Sequence, residues 1–479
     1  MSDHPSVLLI HPTFSTRLHY GKLSRVAPSL LPVSLVYLAA YLEKFHYPVR
    51  IYDGQVEELS DGILADRLRR ERPDVVGITC MTPMAAEAHH AAKITKEVLP
   101  SALTIFGGIH PTILPDETLA DPHVDVVVRG EGEMILHELL QENAGRGDLS
   151  GISGLSWRRN GAVVHNPDRP PLEDLDALPF PAFHLIPMDK YHQIPDAAFA
   201  LPLRGLITSR GCPFRCIFCS ARLLSGYNYR YRSPDNVLAE MEVLINKYGA
   251  RQLTLLDDNF VVNRDRTAGI CDGMIARGYH QRVVWTCAAR ADQVDESLLR
   301  LMRQAGCKLV SYGVESGTQR LLDLVDKQLQ LTQVERAVTW SKRAGLMTRG
   351  TFIIGLPTET PEETRRTIEY AKQLGLDLAK FSIATPYPGT PLYQMAKKQG
   401  LVDDADWSRF SSMAGFTEYD PVFVPEGREP KELKQMQKLA TREFYLRPRQ
   451  ILNLLRNIRS GSDIKMYYYA AQSLLSKGR

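Results

Sequence analysis

Three cysteines stand close together in the run Gly211-Cys-Pro-Phe-Arg-Cys-Ile-Phe-Cys-Ser220, with the spacing CxxxCxxC. Cys212, Cys216 and Cys219 therefore share one short loop, which follows a predicted β-strand. Four-iron iron–sulfur clusters normally take four cysteine thiolates, so a loop that offers three leaves one iron without a protein ligand. An open coordination position distinguishes catalytic metal sites from closed structural ones. The spacing therefore predicts a catalytic iron–sulfur site.

Two other interpretations of these cysteines are a zinc site and a group of buried thiols. Structural zinc usually takes four ligands, often from two CxxC pairs, and the sequence has no second pair. The remaining cysteines, Cys80, Cys271, Cys287 and Cys307, are scattered through apolar segments. The iron–sulfur interpretation is therefore favoured over both.

The composition indicates an ordinary globular protein of several domains. The chain has 479 residues, of which 44% are hydrophobic and 24% charged, and its formal net charge is +3. That length predicts about three domains, and the small charge gives no indication of a nucleic-acid partner. Seven cysteines without a disulfide-like pattern predict a reducing, cytoplasmic location. The N-terminal residues lack the apolar stretch of a signal peptide or a spanning helix.

Short apolar runs alternate with helical patterns through the first 145 residues. The compact apolar run at 7–12 is typical of a buried parallel strand, and further strands are predicted at 49–53, 75–79, 103–108 and 124–128. Apolar residues with helical spacing follow the first two runs, at 35–45 and 63–72. This alternation predicts a doubly wound, Rossmann-like α/β sheet that binds a ligand at the carboxyl ends of its strands.

The alternation stops over residues 146–203, where several prolines and a hairpin-like segment around Asn160-Gly161 occur. A second alternation predicts strands at 204–209, 252–257, 283–288, 308–314, 349–354 and 378–384. Helical periodicity returns at 429–445 and 449–455. We therefore predict four segments: an N-terminal α/β domain (1–145), a linker (146–203), a partial (β/α)6 barrel of the TIM type (204–391) and a helical C-terminal region (392–479).

Polar residues and glycines recur at the predicted carboxyl ends of the barrel strands, where barrel enzymes place their sites. Together with the CxxxCxxC loop, this pattern resembles the radical S-adenosylmethionine (radical SAM) enzymes, in which one cluster iron chelates the amino and carboxylate groups of SAM. The resemblance implies that Cys212, Cys216 and Cys219 bind the cluster. It also implies five SAM contacts: Phe218 against the adenine, Asp258 on the amino group, Arg290 on the carboxylate, Glu315 on the ribose hydroxyls, and Gly355 where backbone approaches the adenine. Taken alone, Asp257 and Asp258 would also suit a turn or a helix cap, and Arg290 a surface position.

Glycine-rich segments end two strands of the first domain. They are Phe106-Gly-Gly-Ile-His-Pro-Thr112, after the fourth predicted strand, and Arg129-Gly-Glu-Gly-Glu133, after the fifth. In front of a radical SAM barrel, this arrangement resembles the cobalamin-binding domains of B12-dependent radical SAM enzymes. A corrinoid is wide, and glycines let bare backbone approach it. The cobalamin contacts implied by the resemblance are Thr79, Thr82, Gly107, Gly108, Gly130 and Glu131.

Many corrinoid domains coordinate cobalt through the histidine of a D-x-H-x-x-G segment after the first strand, and no such segment follows Pro12. Asp121-Pro-His123 is the nearest match, but it lacks the glycine. His11 and His110 lie at predicted strand ends, and we expect structural roles for both. The lower ligand of cobalt is therefore left open.

The resemblance implies a [4Fe–4S] cluster, SAM and cobalamin as cofactors, and a reductant such as flavodoxin or ferredoxin. In this family a radical derived from SAM abstracts hydrogen from an unactivated carbon, and methylcobalamin then delivers a methyl group. We therefore expect a C-methyltransferase, and hopanoid C-3 methylases, which modify a polycyclic lipid, have a similar length and domain order. The alternatives are the oxygen-independent magnesium-protoporphyrin monomethyl ester cyclase and a non-catalytic corrinoid-binding protein. Methylthiotransferases are disfavoured because neither a second cluster segment nor an RNA-binding tail is visible.

The C-terminal tail is basic and partly apolar. From Arg442 to Arg479 it has eight Lys or Arg against two acidic residues, interleaved with apolar side chains such as Tyr467-Tyr-Tyr469. A stripe of this kind packs on its own domain or lies on an anionic bilayer. We expect an apolar small-molecule or lipid substrate and no nucleic-acid partner. For the tail, packing on its own domain is favoured, and peripheral membrane contact through these basic helices is the alternative.

Overall fold

Two largely parallel β-sheets organise the chain. The computed structural model describes residues 4–27, 29, 31–57, 59–142, 147–191 and 198–456. The strands are β1 (Val7–His11), β2 (Val49–Asp53), β3 (Val75–Thr79), β4 (Leu103–Gly107), β5 (Val126–Val128), β6 (Leu155–Arg159), β7 (Ala162–His165), β8 (Leu203–Leu206), β9 (Ser209–Arg210), β10 (Arg230–Tyr231), β11 (Gln252–Leu255), β12 (Val284–Ala289), β13 (Cys307–Glu315), β14 (Met347–Ile354) and β15 (Leu378–Ile383).

The α-helices mostly alternate with these strands, as βα units require. They are α1 (Thr16–Tyr20), α2 (Val33–Lys44), α3 (Asp61–Glu71), α4 (Ala85–Val98), α5 (Ile109–Ile113), α6 (Pro115–Ala120), α7 (Gly132–Gln141), α8 (Ala221–Ser225), α9 (Pro234–Asn246), α10 (Arg264–Ala276), α11 (Glu296–Gln304), α12 (Gln319–Leu324), α13 (Leu331–Arg343), α14 (Pro361–Gln373), α15 (Pro391–Lys398), α16 (Pro430–Tyr445) and α17 (Pro448–Arg456).

The first sheet has the strand order β2-β1-β3-β4-β5-β6-β7, and its first five strands are parallel. All five were predicted, because strands covered by helices on both faces are rich in apolar residues. The strand order reverses at β1, which lies between β2 and β3. Open α/β sheets bind ligands at such a switch point, beyond the carboxyl ends of the strands.

A β-hairpin extends this sheet. Strands β6 and β7 flank Asn160 and Gly161, which both have positive φ (51° and 83°), as the two-residue turn of a tight hairpin requires. The hairpin was predicted from this dipeptide, but its position was not. Strand β6 pairs antiparallel with β5, so the segment before the barrel adds two strands to the N-terminal sheet.

The second sheet is the predicted partial barrel. Its six parallel strands have the order β15-β14-β13-β12-β11-β8, so that β8 and β15 form its open edges. Each of the six predicted strands overlaps an observed one. The carboxyl ends of these strands, and those of the first sheet, carry the residues considered below.

A continuous apolar core joins the two sheets and the C-terminal helices. Buried residues from α2 (Leu35), β8 (Leu206), β14 (Phe352) and α16 (Leu433) belong to it. Helices α16 and α17 lie where the sequence predicted helices. Residues 457–479, including the apolar group Tyr467-Tyr-Tyr469, lie outside the described residues. Within the described part of the chain, no helix is both long and apolar enough to cross a bilayer.

Candidate active site

The three cysteines of the CxxxCxxC segment lie in a loop that two short strands bracket. Strands β9 and β10 pair antiparallel and hold the two ends of residues 211–229 together. Gly211 has a φ of +86°, and a Cβ there would collide with the carbonyl oxygen of Asn228. Cys212, Cys216 and Cys219 are free thiols, and the amide of Cys219 donates to the carbonyl of Cys216 (3.1 Å). The local backbone therefore presents three thiols from one loop.

The thiols lie in a partly desolvated environment with charges of both signs nearby. Burial raises the pKa of all three, that of Cys219 to about 11, and Asp258 adds to the upward shift in the pKa of Cys212 and Cys219. The cations Arg290 and Lys327 act in the opposite direction on Cys212 and Cys216. A buried thiol loses its proton when a metal binds, and nearby cations stabilise the anionic product. This donor set fits a cluster with three protein ligands.

The arrangement differs from a single-ion site. No three His, Cys, Asp or Glu side chains among the described residues converge as the ligands of one metal ion do. The thiolates of a four-iron cluster bind different iron atoms. The three cysteines therefore need only surround the cluster, and they do not need to meet at one point.

The two aspartates after β11 have different environments. Asp257 is buried and accepts hydrogen bonds from the hydroxyls of Thr208 (2.8 Å) and Ser209, which lead into the cluster loop. Asp258 instead lines the cavity described below. Enclosure in that cleft and the adjacent Asp257 raise the pKa of Asp258. Of the pair, Asp258 is the carboxylate that a ligand can reach.

The guanidinium of Arg290 is largely occupied by protein partners. Its Nε and Nη2 bind Asp292 (3.0 and 2.9 Å), and Nη2 also donates to the carbonyls of Lys327 and Gln328 (2.8 and 3.0 Å). Its plane lies 3.6 Å from the ring centre of Phe214 in the cluster loop. Only Nη1 lacks a hydrogen-bond partner among the described residues. In this arrangement only the Nη1 amino group remains for a ligand carboxylate, rather than the whole fork.

Protein contacts also occupy the remaining predicted SAM residues. Glu315, which ends β13, forms a buried ion pair with Lys327 (2.8 Å). The amide of Gly355 donates to Glu359 (2.5 Å), and its φ is +80°. Phe218 is partly buried in a small apolar cluster. Lys327 was not predicted from the sequence, because nothing in its neighbourhood along the chain distinguishes it from a surface lysine.

A cavity of about 510 Å³ lies between the carboxyl ends of the first sheet and the cluster loop. This volume is within the usual range for small-molecule and cofactor sites. From the barrel side it is lined by Asp258 and by Ser220, the neighbour of Cys219. Its lining from the first domain includes five of the six residues predicted to contact cobalamin, namely Thr79, Gly107, Gly108, Gly130 and Glu131. The sixth, Thr82, is buried outside this lining.

The glycines of the cavity wall fit a wide ligand. A Cβ at Gly107 or Gly130 would meet no protein atom within 4 Å, so a side chain there would project into the cavity. Gly108 has a φ of +104°, and a Cβ would lie 2.8 Å from the carbonyl oxygen of Cys80. Glycine at 108 is therefore required by the protein's own backbone, whereas bare backbone at Gly107 and Gly130 leaves room for close approach of a corrinoid.

Neither of the two histidines considered as cobalt ligands lines the cavity. His11 is buried beside Asp53 (3.3 Å). His110 is also buried, with neither ring nitrogen hydrogen-bonded to the described residues, and it packs edge-to-face on Trp407. Burial, together with His89, lowers the pKa of His110 to about 4. Both positions agree with the structural roles expected for them.

Ion pairs connect the cavity wall to the cluster loop. Arg230 of β10 donates to both carboxylate oxygens of Glu131, which precedes α7 (2.9 and 2.7 Å). Arg210 of β9 binds Glu133 in the same helix (2.5 Å). Burial of Glu131 disfavours its charge, but the bonds from Arg230 and the charge of Arg210 lower its pKa below the usual value. These pairs were not predicted from the sequence.

Two protein families match the chain in succession. The B12 binding domain matches residues 23–140, and the radical SAM superfamily matches residues 206–371. An uncharacterized methyltransferase of Pyrococcus horikoshii is 36% identical over 422 residues, which cover 88% of this chain and 89% of the relative. The anaerobic magnesium-protoporphyrin IX monomethyl ester cyclase of Rubrivivax gelatinosus is 32% identical (92% and 77% covered). The cytidylyl-2-hydroxyethylphosphonate methyltransferase of Streptomyces wedmorensis is 31% identical (84% and 83% covered).

Solved structures share the fold. The radical SAM methyltransferase TsrM from Kitasatospora setae, with cobalamin and a [4Fe–4S] cluster bound, superimposes with a TM-score of 0.70 at 19% identity, covering 96% of this chain and 90% of that one. The cobalamin-dependent radical SAM enzyme OxsB superimposes with a TM-score of 0.77 at 17% identity (98% and 71% covered).

A B12-binding domain followed by a radical SAM barrel defines an enzyme that uses cobalamin, SAM and a four-iron cluster. The chain belongs to this B12-dependent radical SAM family, which includes methyltransferases and the magnesium-protoporphyrin IX monomethyl ester cyclase. The predicted family, enzyme class, cofactors and two-part fold are thereby confirmed. The individual residue roles and domain boundaries stay predictions.

Proposed function

We propose that the protein is a C-methyltransferase that acts on an unactivated carbon of its substrate. One observation supports this most directly: a single cavity is lined by the glycine ends of the B12-binding sheet and by residues beside the cluster loop. Methyl transfer to a carbon radical needs both cofactors near one substrate atom, and this cavity offers both walls. Named methyltransferases among the relatives support the same reaction class.

In this proposal the residues of the chain hold and orient the reactants. Cys212, Cys216 and Cys219 would hold the cluster, Gly107, Gly108 and Gly130 the face of the corrinoid, and Asp258 the ammonium group of SAM. When bound, these groups supply an electron, a carbon-centred radical and a methyl group. Apolar side chains in the cavity wall would exclude water from the reacting atoms, and they include Leu35, Leu38, Ile105, Leu136 and Leu256.

The substrate is the finer part of the proposal. The hopanoid C-3 methylation expected from the sequence is supported by the apolar part of the cavity wall, which suits a polycyclic hydrocarbon. The relatives with named substrates act on a tetrapyrrole and on a cytidylyl phosphonate. We therefore propose an apolar or amphiphilic substrate, with a hopanoid as the first compound to test.

A second candidate is oxidative ring closure of a porphyrin ester. The observation that favours it is the extent of similarity to the Rubrivivax gelatinosus cyclase, which covers 92% of this chain. The two reactions differ in where the methyl group of SAM goes. A methyltransferase transfers it to the product, whereas a cyclase product gains no methyl group.

The test is incubation of anaerobically reconstituted protein with reductant and SAM that carries a deuterated methyl group. Lipid and tetrapyrrole extracts would serve as substrates, and flavodoxin or ferredoxin as electron donor. We expect 5′-deoxyadenosine and one product that contains the labelled methyl group, both detected by mass spectrometry. An oxidised, unlabelled porphyrin product would support the cyclase. Cobalamin binding without any cleavage of SAM would support a non-catalytic corrinoid protein.

Peripheral membrane contact is proposed from the C-terminal helices. Leu446, Ile451 and Leu452 are 41%, 43% and 52% exposed next to Arg449, which gives a basic and apolar surface. Such a surface can lie on an anionic bilayer. Sedimentation with anionic vesicles at low salt tests this, and absence of binding there would exclude it.

A further inference from the structure

The cluster loop, residues 211–229, has an inner and an outer surface. Its inner surface lines the cofactor cavity through Ser220, Ala221, Leu224 and Ser225. Its outer surface carries the exposed residues Arg215 and Tyr227 and the half-buried Arg222. None of these three residues belongs to the cavity lining. Another protein can therefore contact the outer surface while the cavity is filled by cofactors.

The three side chains of the outer surface form one group. The guanidinium groups of Arg215 and Arg222 lie 5.3 and 5.2 Å from the ring centre of Tyr227, within cation–π distance. Nη1 of Arg222 also donates to the hydroxyl of Tyr227. Tyr227 nevertheless remains 40% exposed. Because the ring already orients both arginines, a partner that binds here has less side-chain freedom to restrict.

The positive charge of this surface has no partner within the described part of the chain. The loop contains no Asp or Glu, and neither Arg215 nor Arg222 forms an ion pair with a described residue. By contrast, the arginines at the two ends of the loop bind buried glutamates of the B12-binding domain. The outer surface therefore presents two cations that a carboxylate from another molecule can pair with.

Acidic residues of the adjoining segment do not take this role. The amide of Ile217 in the loop donates to the carbonyl of Val325 (3.1 Å), so the segment around α12 packs beside the loop. Its acidic residues are Asp323 and Asp326, and each accepts a hydrogen bond from a glutamine of the same segment (2.8 and 3.0 Å). Neither binds an arginine of the outer surface.

The outer surface also lies next to the cluster ligands. Arg215 directly precedes the buried Cys216, and consecutive Cα atoms are about 3.8 Å apart. A protein that contacts Arg215 is therefore one residue away from a cluster ligand. Transfer of an electron between proteins slows steeply with distance, and the B12-binding domain covers the cavity side of the loop. The outer surface is thus the short route by which an electron reaches the cluster.

We propose that Arg215, Arg222 and Tyr227 form the docking surface for a small acidic protein that carries single electrons. The inference rests on the part of the proposed function that assigns the cluster to the three cysteines, and it adds where the electron enters. The donor loses one electron and the cluster gains it, with no bond formed or broken. Arginine and tyrosine are enriched among the residues that dominate binding energy, and electron-transfer complexes bury little surface. Opposite charges accelerate the association of such partners.

Binding and reduction by flavodoxin, an acidic electron carrier, test the surface in the reconstituted full-length protein. The variants are Arg215→Gln and Arg222→Gln, and the matched control is Arg70→Gln on α3, where the side chain is 73% exposed. Calorimetric titration with oxidised flavodoxin at low salt measures affinity. Stopped-flow absorbance measures reduction of the cluster by flavodoxin hydroquinone. We expect each loop variant to lower the affinity and the second-order rate constant about fivefold, and the control to behave like the wild type.

Reduced methyl viologen separates loss of docking from damage to the cluster. This small cationic dye needs no docking surface and gains nothing from basic charges, so it should reduce the wild type and both loop variants at equal rates. With flavodoxin, the rate for the wild type should fall as salt is added, because salt screens the attraction between exposed charges.

A further measurement uses the wild-type protein and does not depend on how the variants fold. Limited modification with phenylglyoxal, followed by peptide mass spectrometry, reports the accessibility of arginines. Saturating flavodoxin is expected to protect Arg215 and Arg222 but not Arg70. Absence of flavodoxin binding, loop variants that accept electrons from it like the wild type, or unchanged modification of both loop arginines would each overturn the proposal.

These readouts need no turnover, so they are separate from the tests of the proposed function. Failure of the three cysteines to hold iron and sulfide, or failure to transfer a methyl group, would count against the proposed function instead.

Discussion

Arg230 donates two hydrogen bonds to the carboxylate of Glu131, at 2.9 and 2.7 Å, although the residues are 99 positions apart. Arg230 follows the cluster loop and Glu131 precedes α7 in the B12-binding domain. Arg210, before the loop, donates one hydrogen bond to Glu133. Both ends of the loop that carries the three cysteines are therefore fixed to the domain that faces them across the cavity.

The first prediction concerns this connection. Glu131 and Arg230 are nearly buried, with side chains 10% and 3% exposed. Removing one partner leaves an uncompensated buried charge, so Glu131→Gln or Arg230→Met alone should lower the free energy of unfolding by about 3–5 kcal/mol. The free energy of unfolding of the double variant should fall by less than the sum of the two single losses. Urea unfolding of the four proteins measures this coupling, and strictly additive losses would show that the pair does not interact.

The second prediction concerns the cobalamin wall. Gly107→Leu should reduce cobalamin binding about tenfold or more, because the side chain would enter the cavity that Gly107 leaves open. The circular dichroism spectrum should not change, since no protein atom lies near the new Cβ. Gly62→Leu on α3, where space is also open, is the control. Retention of cobalamin by the Gly107 variant at the wild-type level would place the corrinoid elsewhere.

The third prediction concerns the thiols before iron is added. Burial raises the pKa of Cys219 to about 11, so the thiolate that reacts with iodoacetamide is scarce at pH 8 and increases as the pH rises. Alkylation of Cys219 in iron-free native protein should therefore be slow at pH 8. It should be fast at the same pH in urea, and cluster loading should block it. Rapid labelling of the native apoprotein at pH 8 would contradict this environment.

The fourth prediction is a pH dependence of stability. His110 has a pKa lowered to about 4, mainly by burial, so below pH 6.5 the unfolded chain takes up a proton that the folded protein refuses. Proton uptake favours the unfolded chain. The free energy of unfolding is therefore highest above pH 6.5 and decreases as the pH falls toward 4, by an amount on the order of 3 kcal/mol. His110→Phe should reduce this acid sensitivity in urea titrations. His90→Gln, at an exposed position, should leave it intact.

Strand positions and the cluster loop could be predicted because they depend on local signals. Runs such as Val7–Ile10 are apolar throughout because helices cover both faces, and the cysteine spacing lies within eight residues. The pairing of β6 with β5 could not be predicted, since it is decided by tertiary packing rather than by the hairpin itself. The same applies to polar partners: Asp292 holds most of the Arg290 guanidinium, and Lys327 pairs with Glu315. A motif indicates which side chains lie at the carboxyl ends of the strands, but not which of them form hydrogen bonds or ion pairs with other protein groups.

The proposed reaction requires that the cluster loop and the B12-binding sheet face one cavity. Electron paramagnetic resonance of protein that holds both a reduced cluster and cob(II)alamin tests this directly, because two nearby paramagnetic centres broaden or split each other's signals. We predict a spectrum that differs clearly from the sum of the spectra of protein loaded with each centre alone. A spectrum equal to that sum would show that the two centres are far apart and would contradict a shared active site.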